Sequence, residues 1–365
     1  MESVVRERLK DARRVVIKLG TSILLDEKGY PSKAHLAKLV SEIAKLHREG
    51  REVIVVSSGA IGSGLKVLGI AKRPKKLPEL QMAASVGQSY LLSLYAALFA
   101  EHGIVIGQVL LTHDDLRNRV RHLNARNAFL SLLKHRVIPV VNENDVVSVD
   151  EIRVGDNDVL ASLVAMLVGA DALVLATTAP GFYTTAQNGK KSLVSHISKV
   201  ADEHLSHAKG KGSELSTGGM STKLTAANNV AKMGSIAAIV DGRTPTNICK
   251  VLSGAPLGTV IGAQHSGQVS KRKQWIAFFN RTQGTIIVDE GAKKALLDDQ
   301  RSLLPVGIVK VEGTFGVGSL VQIEDKKRNP VARGLSEYSS TDIDNMKGQS
   351  PGDEVIHRDN IWTDL

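Results

Sequence analysis

Cysteine is nearly absent: Cys249 is the one thiol in 365 residues, so no disulfide can close within the chain and a reducing, cytoplasmic setting is expected. Aromatic side chains make up only 4%, which leaves little for the base-stacking platforms of single-stranded nucleic-acid binders. Long apolar runs are missing too. The longest covers residues 159–170 and stops at Asp171; about a dozen residues fall short of the roughly 20 that span a bilayer. It reads as a core helix, and no membrane partner is expected. The opening run MESVVRERLKDARR holds Glu2, Glu7 and Asp11 and no apolar stretch, so neither a secretory nor a transit peptide is expected. What is present is globular, with 42% hydrophobic and 23% charged residues. At roughly 150 residues per domain the length predicts two domains, or one large and one small.

Positive charge is in excess, +10 over the chain, but it is unevenly spread. Residues 276–365 hold 11 basic and 14 acidic side chains, a balance of −3, which leaves +13 for the first 275. A basic larger part can steer anionic small substrates, attract nucleic acid, or be a merely solvated surface. The acidic tail is a poor footprint for a phosphate backbone, so nucleic acid is not the expected partner.

Short runs rich in Val, Ile and Leu recur at residues 15–19, 52–57, 104–111, 137–142, 171–177 and 235–241, and they read as buried strands. Between them lie helical patterns, such as Leu36, Leu39, Val40, Ile43 and Leu46 after a Ser32 N-cap. Alternating strand and helix predicts an α/β fold with a mostly parallel sheet, helices on both faces, and ligands at the carboxyl ends of the strands. The texture changes after Gly254: glycines lead into the basic run Lys271, Arg272, Lys273. Beyond it, β-rich pieces at 284–288, 307–311, 319–323 and 330–334, with one helix near 290–298, predict a small β-barrel-like domain.

Four clusters have the residue types that chemistry needs. Lys18, Gly20, Thr21 and Ser22 follow the first strand; glycine admits close backbone approach and lysine supplies a point charge, although a strand-end lysine that snorkels to solvent looks the same. Residues 57–64, SSGAIGSG, include Ser58 and Gly59 and suit an anion nest or an ordinary tight turn. They are neither a Walker A loop nor a G-x-G-x-x-G fingerprint. Asn142, Glu143, Asn144 and Asp145, with Gly155, Asp156, Asn157 and Asp158, form the most polar stretch of an apolar neighbourhood. Asp156 is placed to cap the helix beginning near Val159, and the other side chains can bind an ammonium group or order a cation through water. Thr217, Gly218, Gly219, Met220, Ser221, Thr222 and Lys223 open a further helix, where amides, dipole and lysine together favour a phosphate. Two lysines in reach of one polyphosphate are the parts of a phosphoryl-transfer site.

The runs VVIKLGTS, VSSGAIGSG, NENDVVS, VGDNDVLAS and TGGMSTKLTAA, in this order and spacing, resemble the glutamate 5-kinases of the amino acid kinase family, and the tail is similar to a PUA domain. The resemblance implies a three-layer αβα sandwich at 1–262, a linker at 263–275 and a PUA-like domain at 276–365. It implies transfer of the ATP γ-phosphoryl group to the side-chain carboxylate of L-glutamate, the first step of proline synthesis, with Mg²⁺. The catalytic lysines would be Lys18 and Lys223, and the glutamate-binding residues Ser58, Asp145 and Asn157, with Asn142, Asp156 and Gly59 nearby. Asp145 would pair with the α-amino group. Lys18, Gly20, Thr177, Thr178 and the turn Thr217, Gly218, Gly219, Met220, Ser221, Thr222, Lys223 would hold the nucleotide. Family members are often inhibited by L-proline and form dimers or tetramers, so a homo-oligomer is expected.

The chain departs from the family in one place: where Thr-Asp is usual after the fifth strand it has Thr177-Thr178, which puts nucleotide affinity and base preference in question. The rival readings are a related kinase acting on aspartate, N-acetylglutamate or UMP, and an RNA-binding protein led by the PUA-like tail.

Overall fold

A strand without a polar face needs cover on both sides, and five of the first six Val- and Ile-rich runs obtain it in one sheet; the run at 104–111, expected to be buried, forms the edge strand instead, mostly half-buried and with Gln108 exposed. The computed structural model describes residues 2–26, 29–147, 157–185, 191–208, 219–262, 276, 282–349 and 353–363. The expected linker at 263–275 lies outside them. Two compact units are distinguished: Met1–Asp115 with Val120–Gln268, and Leu116–Arg119 with Val269–Leu365.

In chain order the first unit contains α1 (Glu2–Lys10), β1 (Arg14–Leu19), α2 (Thr21–Leu24), α3 (Lys33–Arg48), β2 (Glu52–Val56), α4 (Ala60–Val67), α5 (Leu77–Ala100) and β3 (Ile106–Leu111). Then come α6 (His113–Arg117) and α7 (Arg119–Lys134), whose adjoining ends are grouped with the second unit, β4 (Ile138–Glu143), α8 (Asn157–Val168), β5 (Ala172–Thr177), β6 (Tyr183–Thr185), β7 (Lys191–Leu193) and β8 (His196–Ile197). The last are α9 (Asp202–His207), α10 (Met220–Lys232), β9 (Ile236–Asp241), α11 (Thr246–Leu252) and β10 (Thr259–Ile261). Eight strands lie in the order β3-β4-β2-β1-β5-β9-β10-β8. All neighbours from β3 to β9 are parallel, and β10 runs antiparallel to β9.

Alternation along the strands sends side chains to opposite faces. Val15, Ile17 and Leu19 join a core with α3, the end of α5 and α11. Val16 and Lys18 point to the other face, where α8 and α10 pack on each other. The Ser32 hydroxyl accepts from the His35 amide and starts α3.

The pairing of α4 with α5 depends on two glycines. A Cβ on Gly64 would stand 1.7 Å from the Ala83 carbonyl oxygen, and one on Gly87 1.8 Å from that of Ala60, so the helices meet backbone to backbone. Helix α5 has 24 residues and mean hydropathy 1.2 in its most apolar window, long and apolar enough by those measures to cross a membrane. Its sequence hides this, because Gln81, Gln88 and serines interrupt the leucines. In the fold Leu80, Ala83, Leu91, Tyr95, Leu98 and Phe99 are buried, as expected of a core helix.

The second unit has β11 (Gly284–Val288), α12 (Glu290–Leu297), β12 (Ile308–Glu312), β13 (Leu320–Asp325), β14 (Pro330–Leu335), α13 (Ser340–Met346) and β15 (Ile361–Trp362). Its five strands form a mixed sheet in the order β12-β11-β13-β14-β15, around a core of its own that includes Ile286, Val321, Ile323 and Ile356. Asp289 caps α12 and Ser339 caps α13. Strand β15 and helix α13 were not expected from the sequence: one is two residues long, and the other has only Ile343 and Met346 as large apolar residues.

Candidate active site

Parallel strands put all their carboxyl ends on one edge, and the helices that follow begin there. The edge formed by β4, β2, β1 and β5 gathers most of the candidate residues. Lys18 is the penultimate residue of β1, Ser58 and Gly59 follow β2, Asn142 is the penultimate residue of β4, and Asn157 opens α8. Gly219 precedes α10, and Lys223 lies in its first turns.

The centre is an ion triad. Asp158, fully buried, sends Oδ1 to Lys18 Nζ at 2.6 Å and Oδ2 to Lys223 Nζ at 2.8 Å. Burial alone would raise the Asp158 carboxyl, but the two lysines overcome it and hold it below the ordinary carboxylate range. Both lysines are only 7% exposed. Among the described residues two cations flank one anion in a place sheltered from water, and such a balance favours an incoming anion far more than a surface would. The Thr222 hydroxyl donates to the Gly219 carbonyl at 2.8 Å, fastening the start of α10.

A second, neutral network lies beside it. The Asn157 side-chain amide nitrogen is 2.8 Å from the Ser57 carbonyl, 3.0 Å from Ser58 Oγ and 2.9 Å from Asn142 Oδ1. It has two hydrogens for three acceptors, so one acceptor is always available for another donor. Asn142 in turn donates to Gln88 Oε1 on α5 at 2.7 Å, and Ser57 Oγ shares a hydrogen bond with the Tyr95 hydroxyl at 3.0 Å. Burial pushes the Tyr95 phenol up, so it stays neutral. The network joins β2, β4, α5 and α8 into one rigid wall.

The left-handed turn at Gly59, φ +92°, carries the chain from β2 into α4, a conformation that side chains resist. Gly20 hydrogen-bonds by its amide to the Ala176 carbonyl at 3.2 Å. A Cβ there would lie 3.9 Å from Lys18 Nζ, so glycine keeps the approach to the lysine open. Asp145 stands in the turn after β4, half-buried. Burial raises its carboxyl to about 6, against the opposing pull of the Arg73 charge. On the far side of β1, Thr177 ends β5 with its carbonyl taking the Gly242 amide at 2.7 Å, while Thr178 is exposed. Asp156, Thr217 and Gly218 lie outside the described residues.

Some residues of the site had no role assigned from the sequence. Asp158 was one acidic residue among several, and its partners are remote in the chain. Gln88 and Tyr95 sit inside an apolar helical pattern that gave no reason to single them out. Glu143, the last residue of β4, is 4% exposed, and neither carboxylate oxygen has a hydrogen-bond partner among the described residues.

Taken together, a buried cationic pair, helix starts, glycine turns and a polar wall suit transfer of a phosphoryl group to a small anionic acceptor. Residues 13–240 match the amino acid kinase family and residues 284–357 the PUA domain. The chain is similar to the glutamate 5-kinase of Chromohalobacter salexigens, 42% identical over 373 residues that cover 99% of this chain and 98% of that one. The glutamate 5-kinase of Citrifermentans bemidjiense is 41% identical over 369 residues, 98% of this chain and 99% of the other. That of Moorella thermoacetica is 40% identical over 374 residues, 99% and 98% respectively.

Proposed function

This chain belongs to the glutamate 5-kinase group of the amino acid kinase family, with a PUA domain following, and from that premise we propose that it phosphorylates L-glutamate on its side-chain carboxylate with ATP. The observation that carries the reading to particular atoms is the Lys18–Asp158–Lys223 triad. Lys18 and Lys223 neutralise the charge that spreads over the phosphoryl oxygens in transit, and Asp158 holds both ammonium groups in place before the substrates arrive. No general base is required, because the attacking carboxylate is ionised at neutral pH.

Ser58 and the polar wall of Asn142 and Asn157 hold the acceptor carboxylate, and Asp145 pairs with its ammonium group. Gly20 and Gly59 give the phosphates room, and the start of α10 offers them amides. A Cβ at Gly20 or Gly219 would meet atoms no closer than 3.4 Å and 3.7 Å, so the bare backbone there fits an anion lying against it. Among the described residues no three His, Cys, Asp or Glu side chains gather as a metal cage. Mg²⁺, when bound with the nucleotide, would supply further neutralisation of the triphosphate charge beside Lys18 and Lys223. The cytoplasmic setting, inhibition by L-proline and assembly into dimers or tetramers complete this reading, and the resemblance supports them.

The test is ADP release from Mg-ATP with L-glutamate, L-aspartate, N-acetylglutamate or UMP as acceptor, with hydroxylamine present to trap an acyl phosphate. Glutamate-dependent ADP with a matching hydroxamate is expected. ADP release with one of the other acceptors in preference would move the specificity within the family.

A further inference from the structure

A substrate that is a zwitterion at its α-carbon needs both signs of charge in its site, and Asp145 supplies only one. The loop between α4 and α5 contains Lys72, Arg73, Lys75 and Lys76. Arg73, Lys72, Lys75, Glu79 and Met82 line a cavity of about 540 Å³. Between Glu79 and Met82 stands Gln81, whose side-chain amide donates to the Val146 carbonyl at 2.8 Å. That bond fastens the base of the basic loop to the turn that presents Asp145. Val146 follows Asp145 directly, so the helix turn that carries Glu79 and Met82 of the cavity wall is tied to the segment bearing the proposed ammonium site.

Resting on the glutamate reading above, we infer that Arg73 is the specificity residue for the α-carboxylate of the acceptor, and that Arg73 and Asp145 form a two-sign clamp on its α-carbon. Three observations support it. The Arg73 charge acts on Asp145, so the two groups lie within electrostatic range. Among the described residues they do not close into a direct ion pair, so neither charge is already neutralised by contact with the other. Arg73 is exposed and carries the planar fork that matches a carboxylate with two parallel hydrogen bonds. When the acceptor enters, its ammonium group turns to Asp145 and its α-carboxylate to Arg73, each replacing water and a more distant charge. The side-chain carboxylate is then left to face the lysine pair.

The clamp is tested with substrates that each lack one of the two charges. 4-Aminobutyrate is glutamate without its α-carboxylate, and glutarate is glutamate without its ammonium group. The unaltered protein is expected to prefer L-glutamate over 4-aminobutyrate in kcat/KM by at least tenfold to a hundredfold, the range of a hydrogen bond to a charged group. Arg73→Met should remove most of that preference while leaving the preference over glutarate unchanged. Arg73→Lys, which keeps the charge but not the fork, should fall between. Lys72→Met and Lys75→Met should keep the unaltered ratio, since they remove the same charge from the same loop. An unchanged ratio of glutamate to 4-aminobutyrate in Arg73→Met, or equal loss of that ratio in all three loop variants, would overturn the assignment of Arg73. Absence of glutamate turnover by the unaltered protein would instead overturn the function on which it rests.

Discussion

Asp158 divides its two oxygens between Lys18 and Lys223, and that division separates catalytic from structural loss. Lys223→Ala removes one cation and leaves Asp158 paired with Lys18, so the fold should survive while turnover falls by at least a hundredfold, the scale of losing one group that stabilises transition-state charge. Asp158→Asn removes the carboxylate that both buried lysines share. Breaking a buried pair in this way costs about 3–5 kcal/mol, to be read from urea denaturation of both variants. Equal destabilisation by the two substitutions would make Lys223 a structural residue. The proposed ammonium site at Asp145 should be sensitive to acid. Its carboxyl is raised to about 6, and only the ionised form attracts an ammonium group. As pH falls below 6 the KM for glutamate should rise, by about tenfold per unit once the group is mostly protonated, with the KM for ATP following a different course. The substrate's own carboxylates remain ionised there. A glutamate KM that stays flat from pH 7 to pH 5 would remove Asp145 from the ammonium site. None of this coupling is legible in the linear sequence, where Asp158 is one of several acids before an apolar helix. A residue's charge can be read from its letter, but its partners depend on which strands become neighbours.

Elements were easier to read than their arrangement. Runs of Val and Ile bounded by glycine or polar residues gave the buried strands to within a residue or two, because a strand covered on both faces has no polar side to blur it. The order β3-β4-β2-β1-β5-β9-β10-β8 could not be read that way. It follows from which helices find matching faces. Short elements with mixed exposure were missed: β6, β7 and β8 have two or three residues each, too few for a period to show. The contact between α4 and α5 was equally hidden, since Gly64 looked like one more glycine of a turn. In the fold it is where two backbones touch. Gly64→Ala should force the helices apart and destabilise the protein by about 1–3 kcal/mol, the cost of overpacking, or more because the clash is with backbone. Thermal melting measures it. Since α4 begins at Gly59, the same variant should also raise the KM for glutamate, whereas an unchanged melting temperature would mean that α5 shifts without cost.

Over the whole molecule, both charge and packing divide the chain in its last third, within several residues of each other. The first 275 residues carry +13 and the remainder −3, and the eight-stranded and five-stranded sheets share no strand. Each unit buries a hydrophobic core of its own. The Lys18–Asp158–Lys223 triad, the Asn142–Asn157 wall, Asp145 and Arg73 all belong to the first unit. A chain ending after Gly262 should therefore fold and retain glutamate-dependent ADP release within a few-fold of the full chain, with the same preference among acceptors. Loss of folding in the shortened chain would show that the second unit stabilises the first. Retained folding with lost turnover would place a catalytic requirement in the PUA domain, where the charge pattern and the site geometry give none. The positive excess that draws in two anionic substrates remains in the shortened chain. Its KM values should consequently rise with added salt as steeply as those of the full-length protein.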